Sequence, residues 1–397
     1  MILSICYSIW ILIQLLVGVH LVIPVVLYLF HLLTGKRPIT NSVAVEADYA
    51  VIVTAYEQTS MLSSVVDSLL AMNYENYLIY IVADNCDITG LHFNSNKVVL
   101  LKPETVLAGN TRSHFYAIHR FKRAHERLTI IDSDNLVHPD YLKELNVYFD
   151  KGFQAVQGVR QAKNLNTTLA CLDAARDIYY HFYDGKILFE LGSSATLAGS
   201  GMAFTTVLYR QCLEHRDING AGFDKVLQAA IVQKDLRIAF VENAIVYDEK
   251  TAGANQLVSQ RARWINTWFK YFTLGFRLMA SGIRNASRNQ FLFGVILVRP
   301  PLFIFLILSV LFMGINLLLH SWFAAAWLAG LLLFVTGFII PLLKPGIDVR
   351  VYRSLVKIPK FMFLQVLSLL SARNANKKSV ASKHTYSSKI DDVLANK

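Results

Sequence analysis

The chain has 397 residues, 54% of them hydrophobic and 17% charged, and its mean hydropathy of +0.39 is too high for a wholly soluble protein. Intrinsic disorder is excluded, because it requires low hydrophobicity; a pure channel or transporter is excluded by long stretches of ordinary soluble-domain polarity. The formal net charge of +11 does not point to nucleic acid, because it is unevenly placed: residues 1–250 hold 21 Lys/Arg against 25 Asp/Glu, whereas residues 251–397 hold 18 against 3.

Residues 1–35 carry no Asp, Glu, Lys or Arg, and the run Ile5–Leu33 exceeds the roughly 20 residues that a spanning helix needs. The basic start of a signal peptide is missing and Lys36-Arg37-Pro38 closes the run, so an uncleaved first span is expected. Two more apolar stretches, 302–319 and 322–343, are parted only by His320 and Ser321 and predict a transmembrane hairpin over 302–343. Arg299-Pro300-Pro301 marks the point where the chain meets the membrane, since Arg at a span centre costs about 2.5–3.5 kcal/mol, and places 291–298 at the interface. Basic residues flank the same side of each span, among them Lys36, Arg284, Lys344 and Arg350. By the positive-inside rule the region between the first two spans is cytoplasmic, the N-terminus lies outside and the C-terminal tail inside. Residues 361–370 are too few to cross and fit an interfacial helix; Lys383-His384-Thr385 reads as part of a solvated basic tail beside anionic lipid, rather than as a gate over a site.

Between residues 45 and 252 short apolar runs alternate with helical periodicity, an α/β pattern. Strands are predicted over 49–55, 77–83, 98–101, 128–131 and 155–159, with helices over 60–72, 111–125 and 138–150. Ligands of such sheets bind beyond the carboxyl ends of the strands, which selects Asp84, Asp132 and Asp134. Asp132-Ser133-Asp134 places two carboxylates at i and i+2 off a strand end, a spacing that suits Mg²⁺ or Mn²⁺ bridged to a nucleoside diphosphate, although a strand-end Asp is also a common turn or N-cap residue. Gln260, Arg263 and Trp264 fall at i, i+3 and i+4 on one helical face, where the Arg can meet a diphosphate and the Trp a sugar; a basic-aromatic helix touching lipid headgroups gives the same pattern. Cys6, Cys86, Cys171 and Cys212 form no CxxC pair and read as free thiols, and the spacing of His114, His119, His125 and His181 suggests no metal site.

Taken in order, Val51 to Glu57, Val82 to Asp87, Asp132-Ser133-Asp134, Gly199-Ser200-Gly201-Met202-Ala203-Phe204, Asp224 and Gln260-Arg261-Ala262-Arg263-Trp264 resemble the family 2 glycosyltransferases. The resemblance covers about residues 48–270 and is closest to membrane-integrated members, the cellulose, chitin and hyaluronan synthase-like enzymes. It implies a GT-A nucleotide-binding domain over 45–252 set between transmembrane helices, followed by the QxxRW and interfacial helices at 253–300, the hairpin, and an interfacial helix with a basic tail at 344–397. It also implies inverting transfer from a UDP-sugar, of the glucose or N-acetylglucosamine type, to a saccharide or lipid-linked acceptor, with a homo-oligomer or an export partner as further company and membrane lipid, not nucleic acid, as the surface met. Carried over residue by residue, Asp134 holds the metal, and Thr54, Tyr56, Glu57, Asp84, Asp132, Gly199, Ser200, Gly201, Gln260, Arg263 and Trp264 bind substrate. Asp224 occupies the base position, where the usual preceding Glu is replaced by Phe223; the other reading of Asp224 is a helix N-cap. Thr54 stands where Pro is frequent, and Gly109-Asn110-Thr111-Arg112 matches the family's Lys-Gly loop only loosely. Those departures keep a second expectation open, a catalytically inactive nucleotide-sugar sensor or assembly subunit of an export complex.

Overall fold

The computed structural model describes residues 2–34, 46–218, 220–376 and 384–395. Lys36-Arg37-Pro38 and Lys383 lie outside these residues. The α/β region folds around one eight-stranded sheet: β1 (Tyr49–Tyr56), β2 (Tyr77–Asp84), β3 (Val98–Leu101), β4 (Arg127–Asp132), β5 (Leu136–Val137), β6 (Ala155–Ala162), β7 (Met202–Thr205) and β8 (Ile238–Asp248). Their order across the sheet is β3-β2-β1-β4-β7-β6-β8-β5. The runs YAVIVTAY and YLIYIVAD are buried along nearly their whole length, as expected of central parallel strands covered on both faces.

Strand direction decides what meets at the carboxyl edge. β1 runs parallel to β2 and β4 with Tyr56 opposite Asp84 and Thr54 opposite Asp132. β7 is inserted antiparallel between β4 and β6, with Met202 opposite Ile130, so the loop before it returns to the same edge. β8 pairs parallel with β6 and ends at Asp248, which brings Arg160, Asp248 and Glu249 there as well. The β6–β8 pairing shifts register between Gln157 and Val159, and a side chain at Gly158 would have no room: an added Cβ would stand 2.3 Å from the Ala244 carbonyl oxygen.

After β6 the chain forms the helix Thr168–Tyr180, which widens into a π-helical turn over His181–Ile187. The QxxRW helix runs Ala254–Tyr271 and is followed by a helical pair, Thr273–Arg284 and Arg288–Val298. That pair is packed at glycine contacts, where a Cβ on Gly275 would meet the Gly294 carbonyl at 2.6 Å. Phe293 and Ile296 enter the main core with Leu278, so residues 291–298, expected at a lipid interface, bury one face in protein. Arg299, expected to mark the membrane surface, is itself buried and paired with Asp184 from the π-helical turn.

Two helices are long and apolar enough to cross a membrane, Ser4–Thr34 and Phe323–Leu343. Leu302–Leu318 has 17 residues and makes a candidate span only together with Arg288–Val298, from which it is bent by 70°. The three apolar helices share a buried polar contact: Gln14 Oε1 accepts from Asn316 Nδ2 at 2.6 Å and from Trp327 Nε1 at 2.7 Å. A carboxamide acceptor with two partners on two helices sets their rotation in a way that apolar packing alone does not.

Substituting Gly158→Ala forces β6 away from β8 at the edge that carries the acidic residues. The expected cost is about 1–3 kcal/mol, read as a lower apparent melting temperature of the purified protein; an unchanged melting temperature would show that the bulge yields freely.

Candidate active site

A cavity of about 930 Å³ opens at the carboxyl edge of the sheet. Its wall includes Thr54, Tyr56, Asp84, Asp132, Asp134, Gly199, Asp224, Gln260, Arg263 and Trp264. Residues up to 210 positions apart in sequence therefore meet in one space at the edge where the parallel strands end.

Asp84 is buried, and its carboxylate accepts from the backbone N–H of Leu107 at 2.9 Å and of Ala108 at 2.8 Å. It fixes the loop before the helix Asn110–Ile118 while still facing the cavity. Glu57 lies off the cavity wall: its backbone takes a left-handed conformation with φ of 59°, and its carboxylate accepts from Asn85 Nδ2 at 3.2 Å. Gln58, one residue on, lines the wall instead.

Ser200 and Gly201, expected to touch substrate, stand behind the wall. The Ser200 hydroxyl accepts from the Asp132 backbone N–H at 3.1 Å and sits 2.7 Å from the Asn135 amide. With that amide oriented to satisfy both neighbours, it accepts from Ser200 and donates to the Asp134 carboxylate at 3.1 and 3.3 Å. Gly201 is packed under β8, where a Cβ would stand 2.8 Å from Val246. Gly199 differs: its φ of +89° favours glycine, and an added Cβ would meet nothing within 4 Å. Gln157, which the sequence reading passed over, holds this loop by accepting from Ala198 N–H at 2.9 Å and donating to the Ser200 and Gly201 carbonyls at 3.1 Å each.

Burial, reinforced by the neighbouring Asp134 charge, pushes the Asp132 carboxyl up to about 7. Two carboxylates crowded in this way suit a cation between or beside them. Asp134 is nearly buried, and within 3.3 Å of its Oδ2 lies Nδ1 of His384. The tail expected to be solvated beside lipid therefore places His384 at the site. Among the described residues no group of three or more His, Cys, Asp or Glu side chains converges as a complete metal cage. Asp134 and its neighbours thus fit a cation that takes its remaining ligands from a bound diphosphate and water.

Asp224 occupies the second position of the helix Phe223–Gln233; the N-cap is Gly222, with φ of 107° and no side-chain cap, so the capping role considered for Asp224 is not the one it has. Its carboxylate lines the cavity and stands 3.3 Å from Lys225 Nζ. The substitution at Phe223 has a packing reason: the ring is buried and meets His114 edge-on at 5.1 Å. His114 in turn bonds the Tyr209 hydroxyl at 2.7 Å, and burial lowers it to about 3, so it is a neutral core group.

On the opposite wall, Arg160, Arg176, Lys250 and Arg261 interlock with Asp173, Asp177 and Asp248. Burial alone would raise Asp177, but Lys250, Arg176 and Arg160 outweigh it and hold that carboxyl well below the usual range. Arg261 pairs with Asp173, its guanidinium lies 3.9 Å over the Trp264 ring, and its buried Nε and Nη1 have no hydrogen-bond partner. Arg160, Arg176 and Arg261 of this cluster line the cavity, and within the cluster four cations stand against three carboxylates, so this wall can accept an anionic group. Gln260 accepts from the Thr251 hydroxyl at 3.0 Å, which ties the QxxRW helix to the end of β8. Sequence spacing singled out Arg263 because it shares a face with Gln260 and Trp264; Arg261 was visible in the same pentad but fell off that face.

Residues 47–267 match the family described as "Glycosyltransferase like family 2". The chain belongs to this family. It is a glycosyltransferase with a GT-A fold, and its match to the mannosyltransferase PcManGT from Pyrobaculum calidifontis, solved with GDP-Man and Mn²⁺, has a TM-score of 0.60 at 15% identity over 89% of this chain and 96% of that one. Residues 1–349 of S. aureus TarS, solved with UDP-GlcNAc, match with a TM-score of 0.43 at 13% identity over 83% and 90% of the two chains. No curated protein matches the sequence itself.

Replacing Asp84 with Asn turns an NH₂ toward the loop donors and leaves one of the two N–H groups without its acceptor, at a cost of about 1–3 kcal/mol. Hydrogen exchange at Leu107 and Ala108 should accelerate about 5- to 150-fold; protection equal to the parent's would show that the carboxylate does not fix this loop.

Proposed function

We propose that this glycosyltransferase is a metal-dependent inverting enzyme that moves a sugar from a UDP-sugar to a lipid-linked acceptor at the cytoplasmic face of a membrane. The observation that carries the acceptor is the composition of the cavity wall. Beyond Asp224 and Trp264 it continues over Leu306, Phe334, Phe338, Phe361 and Met362, side chains of the apolar helices and of the helix Ile358–Leu370. A free saccharide gains little from such a wall, whereas an acyl or polyprenyl chain removes apolar surface from water at about 25 cal/mol per Å². The basic C-terminal third and the two long apolar helices support the membrane setting.

In this reading the donor lies across Asp84 and Asp132, with its diphosphate between Asp134 and the arginines of the opposite wall. Asp134 would hold Mg²⁺ or Mn²⁺, which would supply positive charge to the diphosphate; the GDP-Man and Mn²⁺ of the archaeal neighbour are in keeping with that chemistry. Asp224 takes the proton of the acceptor hydroxyl as its oxygen bonds to the anomeric carbon, and the bond from that carbon to the diphosphate oxygen breaks with its electron pair leaving on the nucleotide. Phe223 packs on His114 and also borders the cavity, and the carboxylate beside it, Asp224, still reaches the cavity wall, which supports activity over the inactive-sensor reading.

Asp224→Asn should lower transfer by about 10²–10⁴-fold while calorimetry still detects UDP binding; near-normal turnover would remove Asp224 from the base role. Asp134→Ala should weaken UDP binding in the presence of Mn²⁺, and EDTA should stop transfer; activity that survives EDTA would end the metal assignment. Membranes given a panel of labelled UDP-sugars should yield product that partitions into organic solvent. A long water-soluble polymer would point instead to processive synthesis.

A further inference from the structure

Between the proposed base and the apolar helices the cavity wall carries three buried polar side chains that the transfer step does not employ. Gln228 stands four residues after Asp224 in the helix Phe223–Gln233, hence on the same face. It is fully buried, and its Oε1 accepts from the Leu197 N–H at 2.9 Å, while Nε2 has no hydrogen-bond partner among the described residues. One residue earlier, the Thr196 N–H donates to the Asp184 carbonyl at 3.0 Å. Asp184 pairs with Arg299 through Oδ2 and Nη2, and the other two atoms of the pair, Oδ1 and Nη1, are buried without a partner. Gln228, Leu197, Thr196, Asp184 and Arg299 all line the cavity. Past Arg299 the chain bends by 70° into the helix Leu302–Leu318, whose Leu302 and Leu306 belong to the apolar wall.

Buried polar atoms are nearly always satisfied, and each one left over costs free energy that a ligand can recover. Here three residues with such atoms follow one stretch of wall, and one of them, Asp184, sits in a π-helical turn, a rare backbone form that recurs at functional sites. Their chemistry defines the ligand. Asp184 offers an acceptor, Arg299 and Gln228 offer donors, and the charge of Arg299 is already balanced by Asp184. A hydroxyl both donates and accepts, so hydroxyl groups can satisfy the whole set. A phosphate only accepts: it would leave Asp184 Oδ1 without a donor and would meet a like charge.

We propose that Gln228, Asp184 and Arg299 form an acceptor subsite that holds the hydroxyl groups of an uncharged lipid headgroup, the sugar of a glycolipid or the glycerol of a diacylglycerol, between Asp224 and the apolar wall. This rests on the lipid-acceptor reading above and narrows it: no phosphate stands between the reacting headgroup and its tail. The cationic wall of Arg160, Arg176 and Arg261 is left to the diphosphate of the donor. Selection against lipid phosphates comes from Asp184, whose charge both balances Arg299 and repels a second anion.

The test uses the full chain in native membranes given labelled UDP-sugars. The organic-soluble product should pass an anion exchanger unretained and survive mild acid. Alkaline deacylation then separates the two sources: glycerol carrying one sugar comes from diacylglycerol, a saccharide of two or more units from a glycolipid. A retained, acid-labile product, the behaviour of a sugar on a lipid phosphate, would overturn the inference and leave the lipid acceptor standing; the absence of any organic-soluble product would overturn both. Gln228→Glu keeps an oxygen for the Leu197 N–H and loses only the free NH₂. At matched protein levels it should lower transfer about 3- to 10-fold, with the melting temperature and the affinities for UDP and UDP-sugar of the purified chain unchanged. Transfer equal to the parent's, a loss that follows a lowered melting temperature, or weakened binding of UDP-sugar relative to UDP would each remove Gln228 from the acceptor and overturn the subsite.

Discussion

The structure turns on a set of ionised side chains shut away from water where β6 and β8 end. Lys250, only 2% exposed, touches Asp177 at 2.5 Å and Asp248 at 2.6 Å; Arg160, Arg176 and Arg261 complete the set with Asp173. Removing one partner from such a group leaves a buried charge uncompensated, at about 3–5 kcal/mol, while the intact group adds little net stability. Its physical effect is selection: Asp173 and Asp177 come from the helix after β6, Asp248 and Lys250 from the end of β8, and Arg261 from the QxxRW helix. In this arrangement each of these side chains has an oppositely charged partner. Because Arg160, Arg176 and Arg261 also line the cavity, the same constraint that docks the helices leaves Arg261 donors unused at its wall.

The cavity then joins two solvents. At the sheet edge it is lined by carboxylates and guanidinium groups that require water or a charged ligand; at the apolar helices it is lined by Phe and Leu side chains that would rather meet hydrocarbon. Gln14, Asn316 and Trp327 fix the rotation of the apolar helices, and the buried Arg299–Asp184 pair ties them to the π-helical turn. One cavity thereby offers a polar end and an apolar end, the two surroundings that the proposed donor and acceptor would each require.

The central strands and the acidic residues at their ends were legible because buried parallel strands are continuous apolar runs and the carboxylates follow them directly. The β5 and β7 strands, of two and four residues, carry no such signal; they exist because β4 and β8 offer them edges. The same limit applies to the site. Motif spacing gives residues that share a local face, such as Gln260, Arg263 and Trp264. It gives no account of Gln157, which holds a loop more than 40 positions away, or of Arg261, whose role depends on Asp173. His384 was the least legible: nothing in a Lys/Ser-rich tail shows that Glu249, 135 positions earlier, offers a carboxylate to its neighbours' backbone.

Gly222 opens the helix that carries Asp224, and an added Cβ there would stand 2.6 Å from both Thr267 and Tyr271. The close approach means that the far end of the QxxRW helix forms the floor on which Asp224 is set. The family match ends at residue 267, inside that helix. The boundary of sequence kinship is therefore not a boundary of folding. A fragment cut to the matched residues would keep every motif by which the enzyme is recognised, and would lose Tyr271, half of the surface against which the proposed base is positioned.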